Sequence, residues 1–273
     1  MADAAVCSLA VAGIPIELRC GDGALAGLLR ERYADFPAAG PPRLAATISL
    51  AGAARELPTL DQGISFAGGV ARCAAPGYAG WIDAAAGEAG LDLSSRYPAE
   101  DCDYFVRMIY ALLLFDAGGL LFHAAGLERG GRGYVFWGHS GSGKTTVARV
   151  SRGARVLNDD LVALLPVAGR WQVHATPFWN PSQVRPAGAA SSPLAALCRL
   201  VQAPAVALEP MSPGQAVAEI SASAPVISLD PGRLPTLLGR ARRLAAEAPV
   251  WRLLFLPDDS FWPLLEARAA AGF

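Results

Sequence analysis

The feature that most constrains this chain is Gly138-His139-Ser140-Gly141-Ser142-Gly143-Lys144-Thr145, which fits the pattern G-x-x-x-x-G-K-[ST] at every fixed position. Such a turn commits its neighbours: the chain must arrive as a strand and leave as a helix. Both are readable here, Tyr134-Val135-Phe136-Trp137 as an apolar strand and 145–152 as a short helix. The glycines permit dihedrals closed to other residues and a close approach of backbone to an anion, which successive N–H groups then bind. Gly138, Ser140, Gly141, Ser142, Gly143, Lys144, Thr145 and Thr146 are therefore the expected phosphate-binding residues. Lys144 would reach the outer phosphates, and the Thr145 hydroxyl would sit on Mg²⁺.

Composition strengthens the lysine. Of 23 basic residues, Lys144 is the one lysine and the rest are arginine. A compositional bias that also makes about a fifth of the chain alanine has replaced lysine wherever charge alone suffices. Arginine is planar, wider and forked, so it does not replace a compact ammonium on a flexible stem.

Fifteen positions after Lys144 comes Asp159-Asp160, set among apolar neighbours in Val156-Leu157-Asn158-Asp159-Asp160-Leu161-Val162. One short helix separates the loop from this pair, so the chain must return at once and bring the aspartates beside the loop. On an extended strand, adjacent side chains point to opposite faces. One aspartate would then meet the water shell of Mg²⁺ and the other an acceptor hydroxyl, as base or orienting group. The alternative reading is an Asp-Asp turn with Asn158. His123 interrupts the apolar strand expected at 120–127, either lining the site or satisfied in the core. His139 takes a variable loop position, and His174 reads as a strand surface residue.

The rest of the chain divides near residue 100. Residues 1–98 read as a strand-rich α+β region: short strands at 6–11, 14–18, 44–50, 64–66, 70–73, 81–83 and 91–93, with one helix at 24–36. Residues 99–273 form the second domain, opening with a helix at 99–116 whose apolar face carries Tyr104, Met108, Leu112 and Phe115. The stretch 179–192, rich in Pro, Ala, Gly and Ser, reads as a loop over the site. Strands at 194–201 and 250–256 and helices at 214–220, 234–246 and 260–270 complete it.

Several function classes are excluded. A net charge of −1 without a basic block argues against a nucleic-acid binder, and no apolar run approaches the roughly 20 residues of a membrane span. The N-terminus does not read as a signal peptide. Five widely spaced cysteines give neither a disulfide framework nor a zinc pattern, so a reduced, cytoplasmic protein is expected.

His123, the loop 138–145 and Leu157-Asn158-Asp159-Asp160 together resemble the catalytic core of HPr serine kinase/phosphorylase, related in fold to phosphoenolpyruvate carboxykinase. The layout is also similar to HPr-kinase-related proteins of bacterial gene clusters, some of which accompany ribosomally made peptides. Thr176-Pro177-Phe178-Trp179 and Pro249-Val250-Trp251-Arg252-Leu253 add to the likeness. The resemblance implies an α/β P-loop kinase core with a mixed sheet, using ATP and Mg²⁺. It implies Asp159 as the base toward a serine hydroxyl, Asp160 with Thr145 on the metal side, and His123 lining the site. The acceptor would be a serine of a protein or peptide, or else a small-molecule alcohol; the related kinases are commonly homo-oligomers. A catalytically weak nucleotide-binding regulatory module is the remaining reading.

Overall fold

The computed structural model describes residues 5–50, 63–75, 77–94, 97–179, 183–186 and 188–270. Part of the 179–192 stretch lies outside them. The chain packs as two compact units, 1–113 and 114–273, and the division falls within a helix. The architecture is mixed α/β, with one mixed sheet in each unit.

In the first unit, alternating apolar residues form β1 (Ala5–Val11), β2 (Ile14–Cys20), β3 (Leu44–Leu50), β4 (Gly63–Ala67), β5 (Val70–Ala75), β6 (Tyr78–Asp83) and β7 (Glu88–Leu93). The sheet order is β1-β2-β3-β7-β6-β5-β4, parallel at β2–β3 and β3–β7 and antiparallel elsewhere. The helix expected at 24–36 is α1 (Gly23–Arg32), capped by the Asp22 carboxylate on the Leu25 N–H and stopped at Tyr33. At its end the Tyr33 ring is buried, with its hydroxyl on Asp103 at 3.1 Å.

The next helix, α2 (Pro98–Asp116), is buried at every residue from 105 to 115, as expected of a helix apolar on all sides. Tyr104 is not part of the buried face: it is 52% exposed and stacks under the Arg107 guanidinium at 5.1 Å. Arg107 also holds the buried Asp103 carboxylate at 2.7 Å.

The second unit contains β8 (Leu120–Arg129), β9 (Arg132–Trp137), α3 (Lys144–Val150), β10 (Arg155–Asn158), β11 (Leu161–Val167) and β12 (Arg170–His174). These are followed by β13 (Ser191–Gln202), β14 (Ala207–Pro210), α4 (Pro213–Ala222), α5 (Leu234–Glu247), β15 (Val250–Phe255) and α6 (Trp262–Ala270). The short strand β14 carries no sequence alternation long enough to reveal it; it exists because β15 offers it an edge. Two long strands, β8 and β13, each serve more than one neighbour. The ladder β8–β11–β12–β13–β9–β8 closes on itself.

Closure crowds the inside of the ring. A Cβ on Gly133 would lie 2.2 Å from Val173 Cγ1, and one on Gly126 would lie 2.6 Å from Val162 Cγ1. These two glycines let the strands close around the valines. Next to the ring, β9, α3, β13, β15 and α6 share a core of Phe136, Val147, Cys198, Phe255, Phe261 and Trp262. Among the described residues no helix is long and apolar enough to cross a membrane, and all five cysteines are free and buried.

His174 is half-buried on β12, not a fully exposed strand residue. Its Nε2 is buried without a hydrogen-bond partner, and burial pushes its pKa down to about 4. The folded state therefore binds a proton less readily than the unfolded chain. Stability is full above pH 6.5 and falls as the pH drops toward 4, by up to about 3 kcal/mol. Urea titrations across that range should show the loss, and His174→Gln should flatten it. Gly133→Ala should cost about 1–3 kcal/mol through overpacking against Val173, read as a lower denaturation midpoint.

Candidate functional site

The site forms where β9 runs into α3. The chain leaves Trp137 through Gly138–Gly143, with Gly141 at φ +78° and Gly143 at φ +108°. The three glycines have different reasons. Gly141 has open space around it and is required by its dihedral alone. A Cβ on Gly138 would lie 2.6 Å from Ser142 Oγ, and one on Gly143 would lie 2.5 Å from the Phe255 ring. Gly138 and Ser142, which is 3% exposed, therefore support the segment from behind and do not line the cleft. Lys144 folds over the turn, with Nζ 3.0 Å from the Gly138 carbonyl and 3.4 Å from that of His139. Burial lowers its pKa, and the nearby Arg199 guanidinium adds to the effect while Asp160 opposes it.

The acidic pair is placed by strand register. β10 and β11 run in line, both antiparallel to β8: Asn158 stands opposite Gly126, and Leu161 opposite His123. Between them the pairing lapses, and Asp159-Asp160 form a bend opposite Ala125 and Ala124. On the other side of β8, Ala124 pairs with Trp137, the last strand residue before the glycine turn. Two strand spacings, roughly 10 Å, thus separate the bend from the start of the turn, with two alanines between them.

The expectation that both aspartates sit on an extended strand needs correcting. They occupy a bend, and the alternation rule does not assign their directions. Asn158 shapes that bend. Its Oδ1 accepts from the Asp160 N–H at 2.7 Å and the Leu161 N–H at 2.9 Å. Its Nδ2 reaches the carbonyls of Thr176 at 3.1 Å and Phe178 at 3.0 Å. Thr176 Oγ1 closes the arrangement by donating to the Leu161 carbonyl at 2.5 Å.

The two carboxylates meet different surroundings. Asp159 is 1% exposed; its Oδ2 accepts from the Val184 N–H at 3.2 Å, and Oδ1 is buried without a partner. Burial raises its pKa, while the Thr145 hydroxyl and the Val184 N–H counteract the rise. Asp160 is half-buried, with Oδ1 3.0 Å from His123 Nε2, and the His123 side chain is 47% exposed.

The cleft between turn and bend has a volume of about 320 Å³. His123, Ser140, Gly141, Gly143, Lys144, Thr145, Thr146, Asp159 and Asp160 all line it, so most of the residues singled out from sequence come together. His139 does not line it, and its ring turns to the Ser140 carbonyl. Two lining residues, Gln183 and Gln202, carry no sequence signal; Gln202 reaches the cleft from the end of β13 by donating to the Gly141 carbonyl at 2.9 Å.

Mg²⁺ fits this oxygen set. Among the described residues, no group of three His, Cys, Asp or Glu gathers to hold a metal by itself. The cleft instead offers a hydroxyl and carboxylates, including a buried carboxylate oxygen with no hydrogen-bond partner. That is the partial shell expected of an ion that keeps waters and phosphate oxygens as its other ligands. Asn158→Ala should remove the bend's frame and leave the Thr176 and Phe178 carbonyls unsatisfied. A loss on the order of 3 kcal/mol in chemical denaturation is expected.

No curated protein matches the chain. The family described as SynChlorMet cassette protein ScmC matches residues 103–266, covering most of α2, the glycine turn, the acidic bend and the first half of α6. This corrects the resemblance to HPr serine kinase/phosphorylase: the family that fits the chain is a different one, and the likeness of the short motifs does not extend to membership. The chain belongs to the SynChlorMet cassette protein ScmC family.

Proposed function

We propose that the chain is a Mg·ATP-dependent kinase with a P-loop core, transferring the γ-phosphoryl group to a hydroxyl, a serine of a protein or peptide. The observation that carries this reading is the meeting of Lys144, Thr145, Asp159, Asp160 and His123 in one cleft. The glycine turn and Lys144 would hold the polyphosphate. Thr145 and Asp159 would hold Mg²⁺, which neutralises charge on the phosphoryl oxygens when bound.

The surroundings of the two aspartates favour roles opposite to those implied by the motif resemblance. Asp159, buried beside Thr145 with an unpartnered oxygen, suits the metal side. Asp160, less buried and beside the half-exposed His123, suits the acceptor. In the transfer, Asp160 accepts the hydroxyl proton as the acceptor oxygen bonds to the γ-phosphorus and the bond to the β,γ-bridging oxygen breaks, releasing ADP. His123 orients Asp160. Catalysis would then be mainly positioning and charge stabilisation. The half-exposed His123 would leave the acceptor end open to solvent, which supports a chain-borne hydroxyl over an enclosed metabolite. ATP dependence and five free thiols support a cytoplasmic setting.

Isothermal titration and transfer of labelled phosphate to the products of neighbouring genes test this reading. Asp160→Asn should keep Mg·ATP binding and lower transfer by roughly 10²-fold or more. Asp159→Asn should weaken the Mg²⁺-dependent part of binding. Lys144→Arg should lose turnover despite keeping the charge. Full activity in Asp160→Asn would remove the assigned base. Label on a metabolite would identify a small-molecule kinase, and binding without any transfer a regulatory module.

A further inference from the structure

A second cleft, of about 470 Å³, adjoins the first and shares Thr146 and Gln202 with it as a common wall. Its other lining residues are Ala203, Pro204, Phe255 and Pro257. We propose that this cleft is the nucleobase subsite of the nucleotide, holding a purine by its faces with little reading of its edge. The proposal rests on the kinase reading above and adds to it a base position and a base selectivity.

The position follows from strand direction. β13 runs parallel to both β9 and β15, with Trp137 opposite Arg199 and Gln202 opposite Phe255. The carboxyl ends of these three strands therefore open on one edge: β9 into the glycine turn, β13 into Ala203-Pro204, and β15 into Leu256-Pro257. Although the ladder closes elsewhere, β9, β13 and β15 form a parallel stretch, and the space outside the carboxyl ends of adjacent parallel strands is a common ligand position. The charged groups of the first cleft lie on the β8 side of the turn, whereas the second cleft lies on the β15 side. A molecule seated across Thr146 would have an anionic end on one side and an uncharged end on the other.

The lining sets the chemistry of that uncharged end. Phe255 is 2% exposed and packs under Gly143, so its ring is a fixed floor. Pro204 and Pro257 are exposed and rigid, and they wall the cleft. The Ala203 N–H is already bonded to the Phe255 carbonyl at 3.2 Å, and one of the two Gln202 amide N–H groups to the Gly141 carbonyl. The other lining residues, Ala203, Pro204, Phe255 and Pro257, have no polar side chain, so only the Thr146 hydroxyl and the Gln202 amide offer side-chain polar groups to the base edge. The Gln202 amide, able to turn its oxygen or its nitrogen outward, meets the 6-substituent of adenine or of guanine. The cleft falls in the roughly 300–1,000 Å³ range of small-molecule sites, and apolar contact with a base face is sequence-tolerant.

The test compares Mg·ATP, Mg·GTP and Mg·tripolyphosphate by isothermal titration on the full chain. Both nucleotides should bind roughly ten- to a hundred-fold more tightly than tripolyphosphate, and within about three-fold of each other. Ala203→Trp, which fills the cleft, should bring nucleotide affinity down to that of tripolyphosphate and leave tripolyphosphate within about two-fold of the parent. A double variant of the exposed walls, Pro204→Ser with Pro257→Ser, should lose part of the nucleotide advantage without disturbing the core. Equal affinity of the parent for ATP and tripolyphosphate would overturn the subsite while leaving the phosphate site standing. An advantage that survives in both variants, or an order-of-magnitude preference between ATP and GTP, would also overturn it. Failure of the parent to bind any of the three would overturn the kinase reading, and the subsite with it.

Discussion

The carboxamide of Asn158 is the interaction on which the site depends. It is fully buried, and its oxygen takes two backbone N–H groups of the bend while its nitrogen takes carbonyls from the segment after β12. With this frame in place, the ladder breaks for two residues, one carboxylate turns in toward Thr145, and the other turns toward His123. A polar group buried at this depth is tolerated because its donors and acceptors are satisfied.

Around the bend, small residues decide how closely the parts approach. Ala124 and Ala125 separate the acidic bend from the end of β9. Gly126 and Gly133 let the ladder close over Val162 and Val173, and Gly138 and Gly143 let the turn rest on Ser142 and Phe255. Behind the turn, Trp262 Nε1 donates to Ser151 Oγ at 3.0 Å, and Ser151 donates to the Val147 carbonyl at 2.6 Å, tying the end of α3 to α6. The cleft is thus held from below by aromatic packing and from the side by register.

The electrostatics follow from this placement. Lys144 lies between an attractive carboxylate, Asp160, and a repulsive guanidinium, Arg199, which is itself paired with Glu219 on α4. The buried Asp159 keeps one carboxylate oxygen without a hydrogen-bond partner, and burial raises its pKa. A polyphosphate with Mg²⁺ would give Lys144 an anion and Asp159 a cation. That complementarity gives the kinase reading physical content beyond the motif.

The sequence by itself determined the local pieces: the glycine turn between strand and helix, the lysine that composition could not replace, and the nearness of Asp159-Asp160. These are legible because they depend on backbone dihedrals, side-chain shape and short chain separations. It also carried most strands and helices through hydrophobic period, but not β14, the end of α1 or the exposure of Tyr104. It did not give the family, since short motifs shared with HPr kinases occur here in a chain of the ScmC family. Tertiary structure alone decided which aspartate faces Thr145 and which faces His123. A buried amide from one residue and carbonyls from eighteen and twenty residues away set that bend, and no local pattern encodes it. The arrival of Gln202 and the apolar wall beside Thr146 has the same origin. Parallel strands far apart in sequence end on one edge of the sheet because they pair side by side.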